Sequence, residues 1–199
     1  TDMDHPDKNA TGTSNAIPVG DIFVFADKLT PGIKTWGFIY CTSEDNSVNT
    51  VKSAKEYCDQ NKIPYEEVTV TNSSEVKQAA ETLAGKVDGI FIPNDSVIQS
   101  AMTTVTEVAR DKKIPVYGSS KAMVLSGAFA TVAISDTKIG KLTAQMGLKY
   151  LKDGTTVKDI PSVVVPAEET VINQNTLDAL GVTVPDDIKN SAIIVNDAE

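Results

Sequence analysis

Short apolar runs alternate with longer amphipathic stretches through the middle of this chain. The apolar runs are Trp36-Gly37-Phe38-Ile39-Tyr40, Glu67-Val68-Thr69-Val70, Gly89-Ile90-Phe91-Ile92, Pro115-Val116-Tyr117 and Phe129-Ala130-Thr131-Val132-Ala133-Ile134. Their apolarity is nearly continuous, which predicts strands covered on both faces. Helical periodicity fills the gaps over 47–60, 74–84, 96–111 and a shorter piece at 121–125. An earlier amphipathic helix, from Pro18 to Leu29, places Ile22, Phe23 and Ala26 on one face and stops before Pro31-Gly32. Such alternation predicts right-handed βαβ crossovers and an α/β, flavodoxin-like parallel sheet of order 2-1-3-4-5.

A local echo supports the division. Asn61-Lys62-Ile63-Pro64 and Lys112-Lys113-Ile114-Pro115 each close a helix and open a strand, and Lys158-Asp159-Ile160-Pro161 precedes Val163-Val164-Val165. Proline is tolerated at a strand's first residue and keeps the residue before it extended. The intervals are unequal, so this is shared helix-to-strand geometry and no solenoid repeat. Beyond Ile134 the pattern changes to a helix from Asp136 to Lys152, a strand near 163–165 and a short helix near 175–180.

Composition then narrows the function. The net charge is −9 and no Lys/Arg run occurs, which removes the footprint of nucleic-acid or anionic-membrane binding. A single histidine, His5, sits in a polar start and excludes histidine triads and multi-histidine metal centres. Cys41 and Cys58 match no metal motif and read as buried free thiols rather than a bridge. No cofactor is indicated: the residues from Cys41 to Ser47 include no glycine, against a phosphate-binding loop after the first strand.

In an open parallel sheet, ligands bind beyond the carboxyl ends of the strands, where strand order reverses. Polar segments stand at those ends: Ser43, Glu44, Asn46 and Ser47 after the first strand, Asn94, Asp95 and Ser96 after the third, Ser119 and Ser120 after the fourth, and Ser135-Asp136 after the fifth. Asn46, Ser47 and Ser96 are also natural helix caps, so capping and ligand contact are both open for them. A helix amino terminus suits a carboxylate or phosphate, and Asp95 is placed either to face a cationic amine or to cap. Glu44 with Asp95 as an acid–base pair, or Asp95 as a phosphorylated aspartate, are the enzymatic alternatives. The phosphorylation reading lacks the acidic pair at the first strand's end and the following lysine. Trp36 and Tyr40 are expected to pack in the core.

These residues resemble a known family, the substrate-binding lipoproteins of ABC transporters that include tryptophan- and other aromatic-amino-acid-binding members. The similar pieces are Asn9-Ala10-Thr11-Gly12-Thr13-Ser14-Asn15 with Pro18-Val19, Glu44-Asp45-Asn46-Ser47, Ala84-Gly85-Lys86-Val87-Asp88, Ile92-Pro93-Asn94-Asp95, Lys113-Ile114-Pro115-Val116 and Ala179-Leu180-Gly181-Val182-Thr183-Val184-Pro185. The resemblance implies a type I periplasmic-binding-protein fold, in which two flavodoxin-like lobes close over a ligand. It implies that 13–134 form the second, ligand-binding lobe, with 1–12 a segment of the first lobe or hinge and 135–199 a returning helix and tail that cross between lobes. Most of the first lobe and the lipid-bearing cysteine are then expected outside this chain.

Carried over residue by residue, Asn46 and Ser47 are expected at a ligand carboxylate, with Asn94, Asp95, Ser96 and Ser119 as polar partners. Cys41-Thr42-Ser43 departs from the Asn-Pro-Gly that tends to open this loop in the family. The resemblance implies not an enzyme but an extracytoplasmic capture component, expected to take a small ligand such as an amino acid, aromatic ones included, to an ABC permease in the membrane. A ligand-sensing domain of the same fold is the alternative.

Overall fold

The computed structural model describes residues 2–198. In chain order the elements are β1 (Thr13–Ser14), α1 (Val19–Leu29), β2 (Trp36–Cys41), α2 (Asp45–Asn61), β3 (Tyr65–Val70), α3 (Val76–Ala84), β4 (Gly89–Ile92), α4 (Ser96–Ser100), α5 (Met102–Asp111), β5 (Val116–Gly118), α6 (Lys121–Leu125), β6 (Ala130–Ala133), α7 (Asp136–Leu151), β7 (Val163–Val164), β8 (Glu169–Asn173), α8 (Gln174–Leu180), α9 (Asp186–Ser191) and β9 (Ile193–Val195). They fall into two units. The larger holds Pro18–Ala133 and residues 169–199; the smaller holds residues 1–17 and Ile134–Glu168.

The larger unit is built on a sheet of order β3-β2-β4-β5-β6-β8-β9. Its first five strands are parallel, in the 2-1-3-4-5 order that the alternation predicts. Side-chain alternation separates two cores. Trp36, Phe38, Phe91, Tyr117 and Phe129 form an aromatic layer with Phe23 of α1, and Phe23 stacks on Trp36 with centroids 4.4 Å apart. Ile39, Cys41, Ile90, Ile92 and Val116 point the other way and pack with α3, α5 and α6 through Leu83, Met102 and Val124. Burying Trp36 and Tyr40 fulfils the packing expected of them.

Three features differ from the sequence expectation. The helix expected over 96–111 is two helices, parted at Ala101, whose φ of −117° leaves the helical region. Beside it the Ser100 hydroxyl donates to the Val97 carbonyl, the local side-chain competition that disrupts helices. Residues 169–199 do not belong with the expected returning segment 135–199: β8 pairs antiparallel with β6, and β9 pairs parallel with β8, extending the large sheet. Residues 13–17, expected at the start of the lobe, fall in the smaller unit, since Thr13 and Ser14 pair with Val163 and Val164.

In the smaller unit, α7 accompanies that two-stranded parallel pairing, and the Thr13 and Thr143 hydroxyls share a hydrogen bond of 2.8 Å. Cys41 and Cys58 are both buried free thiols. Burial pushes the Cys58 thiol up to about 12, leaving it a packing group at neutral pH.

Candidate functional site

The chain enters the parallel sheet at β2, steps outward to β3, then returns to place β4 on the other side of β2. Strand order therefore reverses between β2 and β4, and the crossovers leave their carboxyl ends in opposite directions. That is where an open α/β sheet forms its crevice.

Local sequence shapes this point. The β2–β4 ladder runs from Trp36↔Gly89 to Phe38↔Phe91 and stops, ahead of Pro93, which has no N–H to donate. The freed Cys41 amide donates instead to Asp95 Oδ2 at 2.7 Å, while Asp95 Oδ1 caps α4 by accepting from the Ile98 amide at 3.0 Å. Asp95 is 3% exposed. Of the roles open to it in the sequence, capping is the one the geometry displays.

The other loops lock onto the same place. Asn46 Nδ2 and Ser47 Oγ both donate to the Asn94 carbonyl, at 2.6 and 2.9 Å. Ser119 Oγ donates to Asn94 Oδ1 at 3.0 Å. Ser119 is held there because α6 starts close against β5: a Cβ on Gly118 would stand 2.7 Å from Met123 Cβ. Ser120 caps α6 through the Met123 amide, and Ser43 Oγ lies 3.0 Å from Cys41 Sγ. Glu44 reaches across to α4, accepting from the Ser96 amide at 3.1 Å with each oxygen and from the Ser96 hydroxyl. The Ser96 hydroxyl, helped by the Ser96 and Val97 amides, holds the Glu44 carboxyl below its ordinary range.

Nine of the ten expected site residues are thus brought together: Ser43, Glu44, Asn46, Ser47, Asn94, Asp95, Ser96, Ser119 and Ser120. The tenth, Asp136, stands in the first turn of α7 and belongs to the smaller unit. What sequence reasoning missed is the hub. The Asn94 carbonyl and the Cys41 amide tie the loops together, and backbone groups leave no mark in residue identity. Pro93 was the available signal, because a proline at a strand's end predicts a partner strand with an unmatched amide.

The free chemistry of the crest follows by subtraction. Glu44 and Asp95 are both committed, Asp95 to two backbone amides and Glu44 to Ser96. The Asn94 amide nitrogen, by contrast, is spare once its oxygen has accepted from Ser119. Glu44 stands at the N-cap of α2 yet turns away, so no side chain caps that seventeen-residue helix. The first-turn amides of Asp45, Asn46 and Ser47 have no intrahelical acceptor. The crest therefore offers donors and a helix dipole, the chemistry that holds a carboxylate. Among the described residues, no cluster of His, Cys, Asp and Glu suits a metal.

Comparison with known proteins bears on the same residues. The family described as ABC transporter substrate binding protein matches residues 1–196. The chain belongs to this family. It is a family of substrate-binding proteins, not enzymes. A tyrosine-binding protein of Clostridioides difficile is 36% identical over 178 residues, covering 89% of this chain and 51% of its own length. The chain spans about half the length of the curated relatives it matches.

Among solved structures, an ABC domain from Streptococcus pneumonia in complex with L-Trp superposes with a TM-score of 0.88 at 32% identity, over 98% of this chain and 66% of that one. The ligand-free, open structure of a Clostridium difficile substrate binding protein with adhesive properties gives 0.84 at 32%, over 98% and 65%. A LacI family regulator from Bifidobacterium animalis shares the fold, at a TM-score of 0.59 and 17% identity over 77% of this chain and 58% of that one. The architecture is that of type I periplasmic-binding proteins, as the resemblance implies. No helix is long and apolar enough to cross a membrane among the described residues.

Proposed function

We propose that this chain carries one wall of the binding site of an extracytoplasmic, lipid-anchored capture protein. It takes a small amino acid, aromatic in preference, and delivers it to an ABC permease. The observation that carries the reading is the uncapped start of α2 beside the spare Asn94 amide, a donor-rich crest at the strand-order reversal. Tyrosine and tryptophan in the names of relatives above 30% identity support the aromatic preference.

In this reading the ligand carboxylate lies on the α2 first turn, with Asn46 and Ser47 holding the turn in place and Asn94 donating. Ser43, Ser120 and the Ser96 region flank it. A second lobe supplies the opposing wall, and hinge closure rather than bond-making is the working step.

Calorimetry of the full-length protein with L-tyrosine, L-tryptophan and L-phenylalanine, against ribose and nucleosides, tests it. Heat with the aromatic amino acids is expected. Heat with the sugars or nucleosides alone overturns the ligand class.

A further inference from the structure

Glu44 is the crest's exception. A carboxylate beside the start of α2 repels the anion that the helix end is built to hold, unless its charge is engaged elsewhere. It is engaged: both oxygens accept from the Ser96 amide, and one also takes the Ser96 hydroxyl. The side chain thereby ties the β2–α2 loop to the β4–α4 loop across the reversal point. It fills the beginning of α4 as a ligand's carboxylate would. The Asn46 and Ser47 bonds to the Asn94 carbonyl make a second tie between the same loops, so the spacing of α2's amides from Asn94 depends on both.

We propose that Glu44 is a positioning residue for ligand specificity: its carboxylate occupies the start of α4, directs the ligand's acid group to the α2 first turn, and makes no contact with the ligand's ammonium. The inference rests on the amino-acid reading above and sharpens it. This wall of the site reads the acid end of the ligand. With Asp95 also consumed by the Cys41 and Ile98 amides, the ammonium has no free carboxylate among these loop-tying groups to meet. Asp95, which the sequence offers for a cationic amine, and Glu44 are structural acceptors instead.

The experiment uses the full-length protein, wild type, Glu44→Ala and Glu44→Gln, titrated with L-tyrosine and with 3-(4-hydroxyphenyl)propionate, the same molecule lacking its ammonium. A positioning role predicts that Glu44→Ala weakens both ligands by a similar factor, about tenfold for the loss of one shared loop tie. Glu44→Gln keeps an acceptor for the Ser96 amide and hydroxyl and removes the negative charge. It is therefore expected to bind both ligands within about threefold of wild type, or more tightly, as expected for an anion beside a helix start.

An ammonium-reading Glu44 predicts the opposite pattern: Glu44→Ala and Glu44→Gln lose L-tyrosine affinity equally while the propionate is unaffected, and that result overturns the proposal. Equal loss of both ligands in both variants also overturns it, because rescue by glutamine is what separates an acceptor from a charge. Wild-type protein that binds neither ligand removes the amino-acid reading itself, and this proposal with it.

Discussion

The two ends of the parallel sheet are closed by different means. At the amino ends the chain is closed chiefly by its own backbone, with Asp88 the side chain that joins in: the Trp36 amide donates to the Pro64 carbonyl, the Asp88 amide to Thr35, and Ile90 to Pro115, at 2.9–3.0 Å. At the carboxyl ends the closure is made by side chains, through Glu44, Asn46, Ser47, Asp95 and Ser119. Backbone closure is indifferent to residue identity. Side-chain closure spends some polar atoms and exposes others, so only that end can be tuned to a ligand. A cleft of about 420 Å³ near Leu29, Ile33, Pro115 and Val182 lies at the amino ends. Size alone does not make it the site: the Asp88 carboxylate in its lining is already taken by the Lys34 and Thr35 amides.

The contrast breaks first at Asp95. Asp95→Ala removes a helix cap and strands the buried Cys41 amide, so it is expected to lower unfolding free energy by about 2–4 kcal/mol. Urea titration measures this, and ligand affinity should fall with it. The matching test at the other end is Asp88→Ala. The Asp88 carboxylate accepts from the Lys34 and Thr35 amides at 3.0 and 2.9 Å, but these groups are exposed and water can replace it. The expected loss is about 1 kcal/mol, with ligand affinity unchanged. A larger loss at Asp88 than at Asp95 ends the comparison.

Smaller still is the effect of Pro64→Ala and Pro115→Ala. Each keeps the carbonyl that accepts from Trp36 or Ile90 and forfeits only the ring's restriction of the unfolded chain, about 0.4–1 kcal/mol. Calorimetric unfolding should show a small fall in Tm for each, and titration no change in affinity. If either proline variant loses as much as Asp95→Ala, the amino ends depend on side chains after all.

How much of this was legible in the sequence follows the same division. Strand order and the position of the crest come from apolar runs and the polar residues after them, since hydrophobic periodicity and the carboxyl-end rule act through residue types. The addition of β8 and β9 was not legible. Glu169-Thr170-Val171-Ile172-Asn173 is a strand because β6 has an open edge to pair with, a property of the sheet and not of those five residues. At the crest, residue types named the participants but not their partners. Asp95 reads as a ligand-facing carboxylate or a cap and Glu44 as a ligand contact, and only the positions of Ser96, Cys41 and Ile98 show both to be internal acceptors.

Acid provides the finest test of the difference. Two glutamates at the carboxyl ends are held below the ordinary value of 4.5: Glu44 chiefly by the Ser96 hydroxyl, and Glu75 chiefly by the Thr71 amide. A carboxyl whose folded pKa lies below its unfolded value stabilises the fold above the ordinary range. That contribution fades as pH falls through 4.5 toward the lowered value. Glu75 is exposed and Glu44 only half-buried, so solvent screens the effect and it should be smaller than any of the substitutions above. Stability measured from pH 6 downward should therefore decline less steeply in Glu44→Gln and in Glu75→Gln than in wild type. Carboxyl-carbon NMR titration should show both side chains titrating below free glutamate. A Glu44 that titrates at or above 4.5 has no Ser96 tie in solution, and the crest would then be held by Asn46, Ser47, Asp95 and Ser119.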